Sequence, residues 1–185
     1  MTNRKSQIIE LSLKKIQEKG FSSFSYDDLA KELGVTKASI HYHFEKKGDL
    51  GFAVCERIQQ GLEEAYSAIK HSSTDPKEKP FAFILQRVRF IELNDVCPIS
   101  ALQADYNYLP EQMQEKIQQL SQMEVNLVVD LLHEAKQEGA LQTTDDLKGL
   151  AVLLISSTKG GLQYKRVLGE EFFSKLLEEL KEQLK

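Results

Sequence analysis

Three polar side chains within the first 50 residues have types and spacings suited to contacts with nucleic-acid bases. Thr36, Lys37 and Ser39 fall in the first turns of a short predicted helix, where hydroxyl and ammonium groups can reach base edges in the major groove of DNA. Such contacts are not very selective. From these residues alone, the alternative is the solvated polar face of an ordinary helical hairpin.

The flanking residues predict two short helices joined by a tight turn. Ser25 and Asp28 have the spacing of a capping box, in which a hydroxyl and a carboxylate satisfy free amides of a first turn. Gly34 stands where that helix must end, because glycine readily adopts a positive φ, and Thr36 can cap the next helix. The inward face carries Leu29, Ala30, Leu33 and Ile40. The pattern is that of a helix-turn-helix, which fits a major groove.

The continuation of this motif resembles the TetR family of bacterial transcriptional regulators. Ten positions agree with the family pattern: Gly34, Val35, Thr36, Lys37, Ser39, Ile40, His43, Phe44, Lys47 and Leu50. Upstream, Gly20 and Phe21 match the family's link between its first two helices, and the match covers about the first 55 residues. His41 departs from the pattern, since the family usually has a phosphate-binding Tyr there.

The resemblance assigns roles to the polar residues of this motif. It implies phosphate contacts, which set register without reading sequence, from Ser25, Tyr42, Lys47 and His41. Lys47 lies near the start of the fourth helix, where free backbone amides add to its attraction for a phosphate. The resemblance favours a packing role for His43 and Phe44. Thr36, Lys37 and Ser39 remain the candidate base readers.

Charge is unevenly distributed along the 185 residues, which are 41% hydrophobic and carry a net charge of −4. Residues 1–50 hold nine Lys/Arg and seven Asp/Glu, a net charge of +2, so residues 51–185 carry −6. This asymmetry fits a mildly basic DNA-facing head on an acidic body. We predict a helix-turn-helix domain over residues 1–47 and a ligand-sensing and dimerisation domain over residues 48–185.

Other features favour a cytoplasmic protein without a membrane partner. The first residues are polar and give no secretion signal, and the longest apolar run, residues 150–155, is too short to span a bilayer. Two cysteines, Cys55 and Cys97, are too few for a disulfide framework and suit a reducing compartment.

The absence of strand alternation predicts an all-α fold of about nine helices, with a three-helix head followed by a helical body. Beyond the helix-turn-helix pair, we predict helices over residues 3–19, 47–72, 80–94, 98–106, 110–138, 146–168 and 170–184. Nine helices in this order is also what the family resemblance implies.

The last two predicted helices are candidates for a dimer interface. The penultimate one contains the small residues Ser156, Ser157, Gly160 and Gly161, which allow another helix to approach closely. Two alternatives stay open: these helices form the core of one chain, or, as the family resemblance implies, a four-helix interface between two chains. The predicted interface residues are Leu150, Leu154, Ser157, Gly161, Phe172, Phe173, Leu176 and Leu180.

The middle of the chain is the candidate effector region. Phe90, Tyr106 and Met123 supply apolar and aromatic surface, which suits either a small-molecule pocket or plain core. Cys97 precedes Pro98 at a predicted helix start, where free amides can stabilise a thiolate. The segment also resembles a Cys-centred segment in a branch of the family that responds to electrophiles. Cys97 is thus either a sensor or an inert buried thiol.

The motifs of an enzyme are missing from the sequence. The four histidines show no metal-ligand spacing, and there is no Gly-rich phosphate loop, so we expect no cofactor and no metal. A helical adaptor that binds protein is the other alternative. We predict a ligand-responsive regulator, most often a repressor in this family, that binds a near-palindromic operator as a dimer. A small molecule or thiol-reactive compound would release it.

Overall fold

The computed structural model describes residues 3–139, 145–182 and 184, and within these residues it contains nine α-helices and no β-strand. The helices are α1 (Arg4–Lys19), α2 (Tyr26–Leu33), α3 (Lys37–His43), α4 (Lys47–Lys70), α5 (Lys79–Val88), α6 (Pro98–Ala104), α7 (Glu111–Gln137), α8 (Leu147–Leu168) and α9 (Glu170–Glu182). Two short 3-10 turns cover Phe21–Ser23 and Tyr106–Tyr108. The predicted all-α class and the number of helices are confirmed.

The chain divides into two compact units. Unit 1 comprises residues up to Gln60 together with Pro98–Leu120, and unit 2 comprises Gly61–Cys97 together with the residues from Ser121 onwards. Helices α4 and α7 therefore each contribute their first part to unit 1 and their remainder to unit 2. The predicted division into residues 1–47 and 48–185 stays a prediction about function.

The core of unit 1 is built from the apolar faces of its helices. The fully buried side chains include Ile8, Ile16, Leu29, Ile40, Leu50, Ile99, Leu102 and Met113. Close packing around α4 depends on glycine, because a Cβ added at Gly51 would lie 2.4 Å from the sulfur of Met113 and 2.8 Å from the ring of Phe21. At Gly48 a Cβ would lie 3.2 Å from the ring of Pro110. Helix α7 thus begins directly against the start of α4.

The core of unit 2 brings α8 and α9 together. Gly169, with φ +89°, ends α8 and lets the chain enter α9. Gly161 is in tight contact, since a Cβ there would lie 2.2 Å from the side chain of Leu176. Buried Leu154 and Phe173 belong to the same core. Gly161 of α8 therefore serves helix packing within one chain.

An ionic cluster joins three helices in unit 2. Lys70 of α4 donates to Asp130 (2.7 Å) and lies 2.9 Å from Glu134, both on α7. Buried Lys79 of α5 donates to Glu134 at 2.5 Å, and Tyr66 of α4 donates to Asp130 at 2.6 Å. The hydrogen bonds from Lys79 and Lys70 hold the pKa of Glu134 below its ordinary value.

Helix α5 is shorter than the predicted span of residues 80–94, and this prediction is wrong at its C-terminal end. The helix ends at Val88, and the following residues form turns, with the amide of Ile91 donating to the carbonyl of Val88 (3.0 Å). Lys165 of α8 donates to the carbonyl of Ile91 at 3.3 Å. The carbonyl of Ile91, in the turns beyond the helix, thus has a tertiary partner.

The ends of the other helices agree with their sequence signals within a few residues. Asp146 caps α8 by accepting from the amide of Gly149 (2.8 Å), and Gly139 follows α7 with φ +70°. Thr143 and Thr144, which precede this cap in the sequence, lie outside the described residues. Across the described ranges, no helix has both the length and the apolar character needed to cross a bilayer.

Candidate DNA-binding head

The start of α2 is fixed by reciprocal hydrogen bonds between two side chains and the backbone. The hydroxyl of Ser25 accepts from the amide of Asp28 (3.3 Å), and the Asp28 carboxylate accepts from the Ser25 amide (2.7 Å) and hydroxyl (2.7 Å). The predicted capping box is therefore confirmed. The bonds from Ser25 hold the pKa of Asp28 below its ordinary value.

The turn between α2 and α3 follows the predicted geometry. Gly34 adopts the left-handed conformation (φ 64°, ψ 37°), which glycine adopts without steric cost. The amide of Val35 donates to the carbonyl of Ala30 at 2.9 Å. Thr36 then caps α3 by accepting from the amide of Ser39 at 3.2 Å. Ile40 of α3 is fully buried. These contacts fix the direction in which α3 leaves the turn.

Two aromatic contacts brace the exposed end of α3. The hydroxyl of Tyr26 donates to the carbonyl of Phe44 (3.0 Å), and burial raises the pKa of Tyr26 to about 12, so this donor keeps its proton. The His41 ring stands edge-on to Tyr26 at 4.7 Å, and its Nδ1 lies 3.2 Å from the carbonyl of Glu45. Because a carbonyl only accepts, Nδ1 carries the proton in this contact, and a neutral His41 leaves Nε2 as an acceptor. Only the protonated ring can donate to a phosphate through Nε2.

The polar groups predicted to contact DNA lie mostly at the surface of the head. Tyr42 is 86% exposed, and Ser25, Thr36, Lys37 and His41 are also exposed. Ser39 is half-buried. The structure brings Thr36 and Ser39 into contact through the cap of α3, whereas Ser25 caps α2. Their roles towards DNA stay predictions.

Lys37 has an acidic partner that the sequence analysis did not identify. Its ammonium group lies 2.7 Å from the carboxylate of Asp27 in the first turn of α2. Both side chains are more than half exposed, so the pair is screened by water and holds the lysine only weakly. The side chain of Lys37 is therefore free to exchange Asp27 for another acceptor.

Lys47 lies in a more enclosed position than the other predicted contacts. Its ammonium group donates to the carbonyls of Phe21 (2.6 Å) and Phe24 and stands over both aromatic rings, 4.7 and 4.3 Å from their centroids. Burial lowers the pKa of Lys47 from its ordinary value. An ammonium group has three donors, so one remains for a phosphate oxygen.

The four predicted effector residues differ in their burial and in their contacts. Phe90 is 75% exposed beneath the guanidinium group of Arg89 (4.4 Å), and Cys97 is buried. Tyr106 belongs to unit 1, and its hydroxyl accepts a hydrogen bond from the side-chain amide of Gln118 (2.6 Å). Met123 belongs to unit 2 and is half-buried. Their involvement with an effector stays a prediction. Cys55 is fully buried, and burial raises the pKa of its thiol to about 12.

Unit 2 contains two open cavities lined by other residues. One of about 1080 Å³ is rimmed mainly by charged side chains, including Asp75, Glu78 and Lys181. The other, of about 650 Å³, has apolar walls from α4, α5 and α9 and three charged side chains, Arg89, Lys165 and Glu170, of which Lys165 and Glu170 form an ion pair (2.8 Å). The second has the composition of a small-molecule site, with apolar walls and few polar groups. Among the described residues, no group of three or more His, Cys, Asp or Glu could hold a metal ion.

The surface of α8 carries an apolar stripe on the side away from the core. Five of the eight predicted interface residues are buried within their own chain: Leu150, Leu154, Gly161, Phe173 and Leu180. The others are half-buried (Ser157, Leu176) or 38% exposed (Phe172). More exposed are Leu153 (50%), Tyr164 (58%) and Val167 (81%), which the sequence analysis missed because helical spacing alone does not distinguish core from surface.

Family models match most of the sequence. Residues 8–54 match the model described as bacterial regulatory proteins, tetR family. Residues 76–175, more than half of the chain, match the model described as a tetracyclin repressor-like C-terminal domain.

Curated relatives align over shorter stretches. The chain is 25% identical over 119 residues to the uncharacterised HTH-type transcriptional regulator YerO of Bacillus subtilis, which covers 63% of this chain and 40% of that protein. It is 40% identical over 43 residues to IcaR of Staphylococcus aureus, a negative transcriptional regulator of the biofilm operon icaADBC, covering 23% of each. The chain thus spans 40% or less of the length of these relatives.

Solved structures match over the whole chain. A TetR transcriptional regulator from Legionella pneumophila superposes with a TM-score of 0.90 at 26% identity, covering 100% of this chain and 99% of that one. A TetR family regulator from Agrobacterium tumefaciens (TM-score 0.87, 21% identity, 97% and 96% covered) shares the fold. Reduced NemR from E. coli also shares the fold, with a TM-score of 0.83 at 16% identity, covering 97% of this chain and 96% of that one.

Proposed function

Because the chain belongs to the TetR family of bacterial transcriptional regulators, we propose that it is a cytoplasmic repressor that binds a near-palindromic operator. The family consists of transcriptional regulators rather than enzymes, and its members typically dimerise and bind small-molecule effectors in the C-terminal domain. The operator, the effector and the residues that contact them are our proposals for this chain.

The observation that carries this proposal is the construction of the α2–α3 pair. A capping box, a left-handed glycine and a threonine cap fix two short helices, and Ile40 anchors α3 in the core. The opposite side of α3 then presents Lys37 and Tyr42 to solvent. A short helix anchored by one face and bearing donors on the other is the arrangement that enters a major groove.

We assign two classes of DNA contact within this head. Thr36, Lys37 and Ser39 lie in the first turn of α3 and are placed to reach base edges. Tyr42 and the remaining donor of Lys47 are our candidates for holding phosphates, and His41 joins them when its ring is protonated. Ser25 joins them when its hydroxyl, which donates to Asp28, turns to a phosphate oxygen instead. The first class determines sequence preference and the second determines affinity for any duplex.

Dimerisation through α8 and α9 would supply the second reading head. The exposed stripe formed by Leu153, Gly160, Tyr164, Val167 and Phe172 supports this, because an apolar surface on one helix pair is stabilised by burial against a copy of itself. Two recognition helices about 34–36 Å apart would then read two half-sites one helical turn apart.

The effector would bind in unit 2. The cavity of about 650 Å³ supports a ligand with an apolar body, and Arg89 is the cationic side chain of its lining that could pair with an anionic group, because Lys165 already pairs with Glu170 (2.8 Å). Bound ligand would shift the equilibrium towards a dimer that does not span both half-sites, with α4 as the covalent link to the head. Release by modification of Cys97 is the alternative route to the same outcome.

Mobility-shift titrations with the DNA that flanks the gene test the DNA-binding role, using a scrambled duplex of equal length for comparison. Replacing Lys37 by Ala should weaken binding to the flanking DNA much more than binding to the scrambled duplex. Replacing Tyr42 by Phe removes only a hydroxyl and should weaken both by a similar factor, roughly three- to tenfold. Equal losses on both duplexes for Lys37→Ala would remove it from the base-reading group.

A further inference from the structure

The turn that leads into α2 is held by a residue from a distant part of the chain. Oδ2 of Asp105, which directly follows α6, accepts hydrogen bonds from the amides of Phe21 (2.8 Å) and Ser22 (3.2 Å). These amides open the 3-10 turn Phe21–Ser23, and the first amides of a helical turn have no partner within it. Asp105 thus satisfies two backbone donors from 84 residues away in the sequence.

The chain at this turn is shaped to admit the carboxylate. Gly20 has φ +87°, a conformation that residues with a Cβ rarely adopt. A Cβ at Gly20 would also lie 3.1 Å from Oδ2 of Asp105. The glycine therefore serves both the backbone conformation and the close approach of Asp105.

The same turn is held from its other side by Lys47. The amide of Phe21 donates to Asp105, and the carbonyl of the same residue accepts from the ammonium group of Lys47 at 2.6 Å. The carbonyl of Phe24 accepts from Lys47 as well, and the next residue is Ser25, the N-cap of α2. The segment that enters the helix-turn-helix is thus fixed between a carboxylate and an ammonium group.

We propose that Asp105 is a positioning residue for DNA binding, which holds residues 21–24 so that Ser25 and Lys47 face the phosphates of one half-site together. The inference rests on the proposed function, because it concerns how the head is oriented for DNA. Asp105 itself touches no DNA in this proposal. Its effect passes through the backbone of Phe21, which both Asp105 and Lys47 contact.

The sign of the effect distinguishes positioning from simple electrostatics. Removing a carboxylate from a DNA-binding head reduces repulsion of phosphates, so a purely electrostatic role predicts tighter binding to every duplex. A positioning role predicts the reverse for the specific site, because a released turn lets Ser25 and Lys47 move out of register. Binding to unrelated DNA should change little, since it does not require that register.

The experiment compares Asp105→Ala and Asp105→Asn with wild type and with Glu56→Gln, which removes one exposed carboxylate from the α4 part of the same unit. We expect Asp105→Ala to weaken specific binding about tenfold, whereas Asp105→Asn, which keeps an acceptor oxygen, stays within about threefold. Glu56→Gln should not weaken binding. Tighter or unchanged specific binding by Asp105→Ala would overturn the proposal.

A second measurement does not depend on DNA. Amide hydrogen exchange should become faster at Phe21 and Ser22 in Asp105→Ala, while amides in α2 and α3 keep their protection. Unchanged exchange at both amides would overturn the anchoring role even if binding were weaker. If exchange becomes faster in Asp105→Ala but the wild-type protein binds no duplex preferentially, the proposed function is wrong. The positioning role in DNA binding is then wrong as well.

Discussion

The ammonium group of Lys47 donates to the carbonyl of Phe21 at 2.6 Å, 26 residues earlier in the chain. A residue expected to contact phosphate is therefore also part of the internal structure of the head. The aromatic rings of Phe21 and Phe24 enclose it, and burial lowers its pKa. Both roles are compatible, because carbonyl oxygens use two of its three donors.

Replacing Lys47 by Met should affect stability and DNA binding separately. The change keeps the apolar stem but leaves two carbonyls without their charged donor, so the free energy of unfolding should fall by about 1–3 kcal/mol. The salt dependence of DNA binding should also fall by about one unit in log K against log salt. Urea unfolding and titrations at several salt concentrations measure the two effects. An unchanged salt slope would leave Lys47 with the structural role alone.

The capping box predicts a pH-dependent loss of stability in Ser25→Ala. The variant should unfold about 1 kcal/mol more easily at neutral pH, because the α2 cap is lost. Hydrogen bonds from Ser25 lower the pKa of Asp28, so their contribution is complete above the ordinary value of 3.8 and is lost as pH falls through the lower folded value. The difference between wild type and variant should therefore shrink below pH 3.8. A constant difference across that range would contradict this account.

The half-buried carboxylate of Glu134 on α7 should contribute to stability through its two lysine partners. Glu134→Gln removes the charge that pairs with Lys79 and Lys70, and we expect unfolding to become easier by about 1–2 kcal/mol. Because its folded pKa is lowered, this stabilisation is present above the ordinary value of 4.5 and disappears as pH falls through the folded value. Glu138→Gln, an exposed change just beyond α7, is the matched control and should have little effect on denaturant unfolding.

Introducing a charged side chain into the exposed stripe of α8 should dissociate a dimer without unfolding either chain. Val167 is 81% exposed, so Val167→Glu costs little within one chain but would bury an unpaired carboxylate in a dimer. We expect sedimentation to show monomers and specific DNA binding to weaken strongly. Leu93→Glu, at another exposed apolar residue of unit 2, should leave the dimer intact. A dimeric Val167→Glu protein would place the interface elsewhere.

Gly160 offers a test in which stability and association change in opposite directions. Nothing lies within 4 Å of a Cβ added there, and alanine favours a helix over glycine, so Gly160→Ala should stabilise the single chain by about 0.5–1 kcal/mol. If a second chain closes on this face, the added methyl group should weaken the dimer. Thermal unfolding together with the dimer dissociation constant measures both. Stabilisation with unchanged association would show that Gly160 lies outside the interface.

Local signals predicted the parts of the head that depend on neighbouring residues. The caps at Ser25 and Thr36 and the left-handed Gly34 are determined within four residues of chain, so their residue types were sufficient. The partner of Lys37 was missed, although Asp27 lies only ten residues away, because a weak surface pair has no sequence signature.

Tertiary contacts account for what the sequence could not provide. Asp105 reaches Phe21 across 84 residues, and Lys165 donates to the carbonyl of Ile91 across 74, so neither contact has a local sequence signal. Glycine is likewise needed at position 51 because of a distant residue, since a Cβ there would collide with Met113 of α7. For α8, helical spacing identified the apolar residues, but only packing in unit 2 separated buried Leu154 from exposed Val167.

Sequence-specific binding of DNA by paired heads can be measured in a single titration. Fluorescence anisotropy would compare the affinity for the DNA flanking the gene with that for a scrambled duplex at one physiological salt concentration. We expect a preference for the flanking DNA of about a thousandfold or more, with two chains bound per site. Equal affinity for both duplexes, with no binding above the non-specific level, would contradict it.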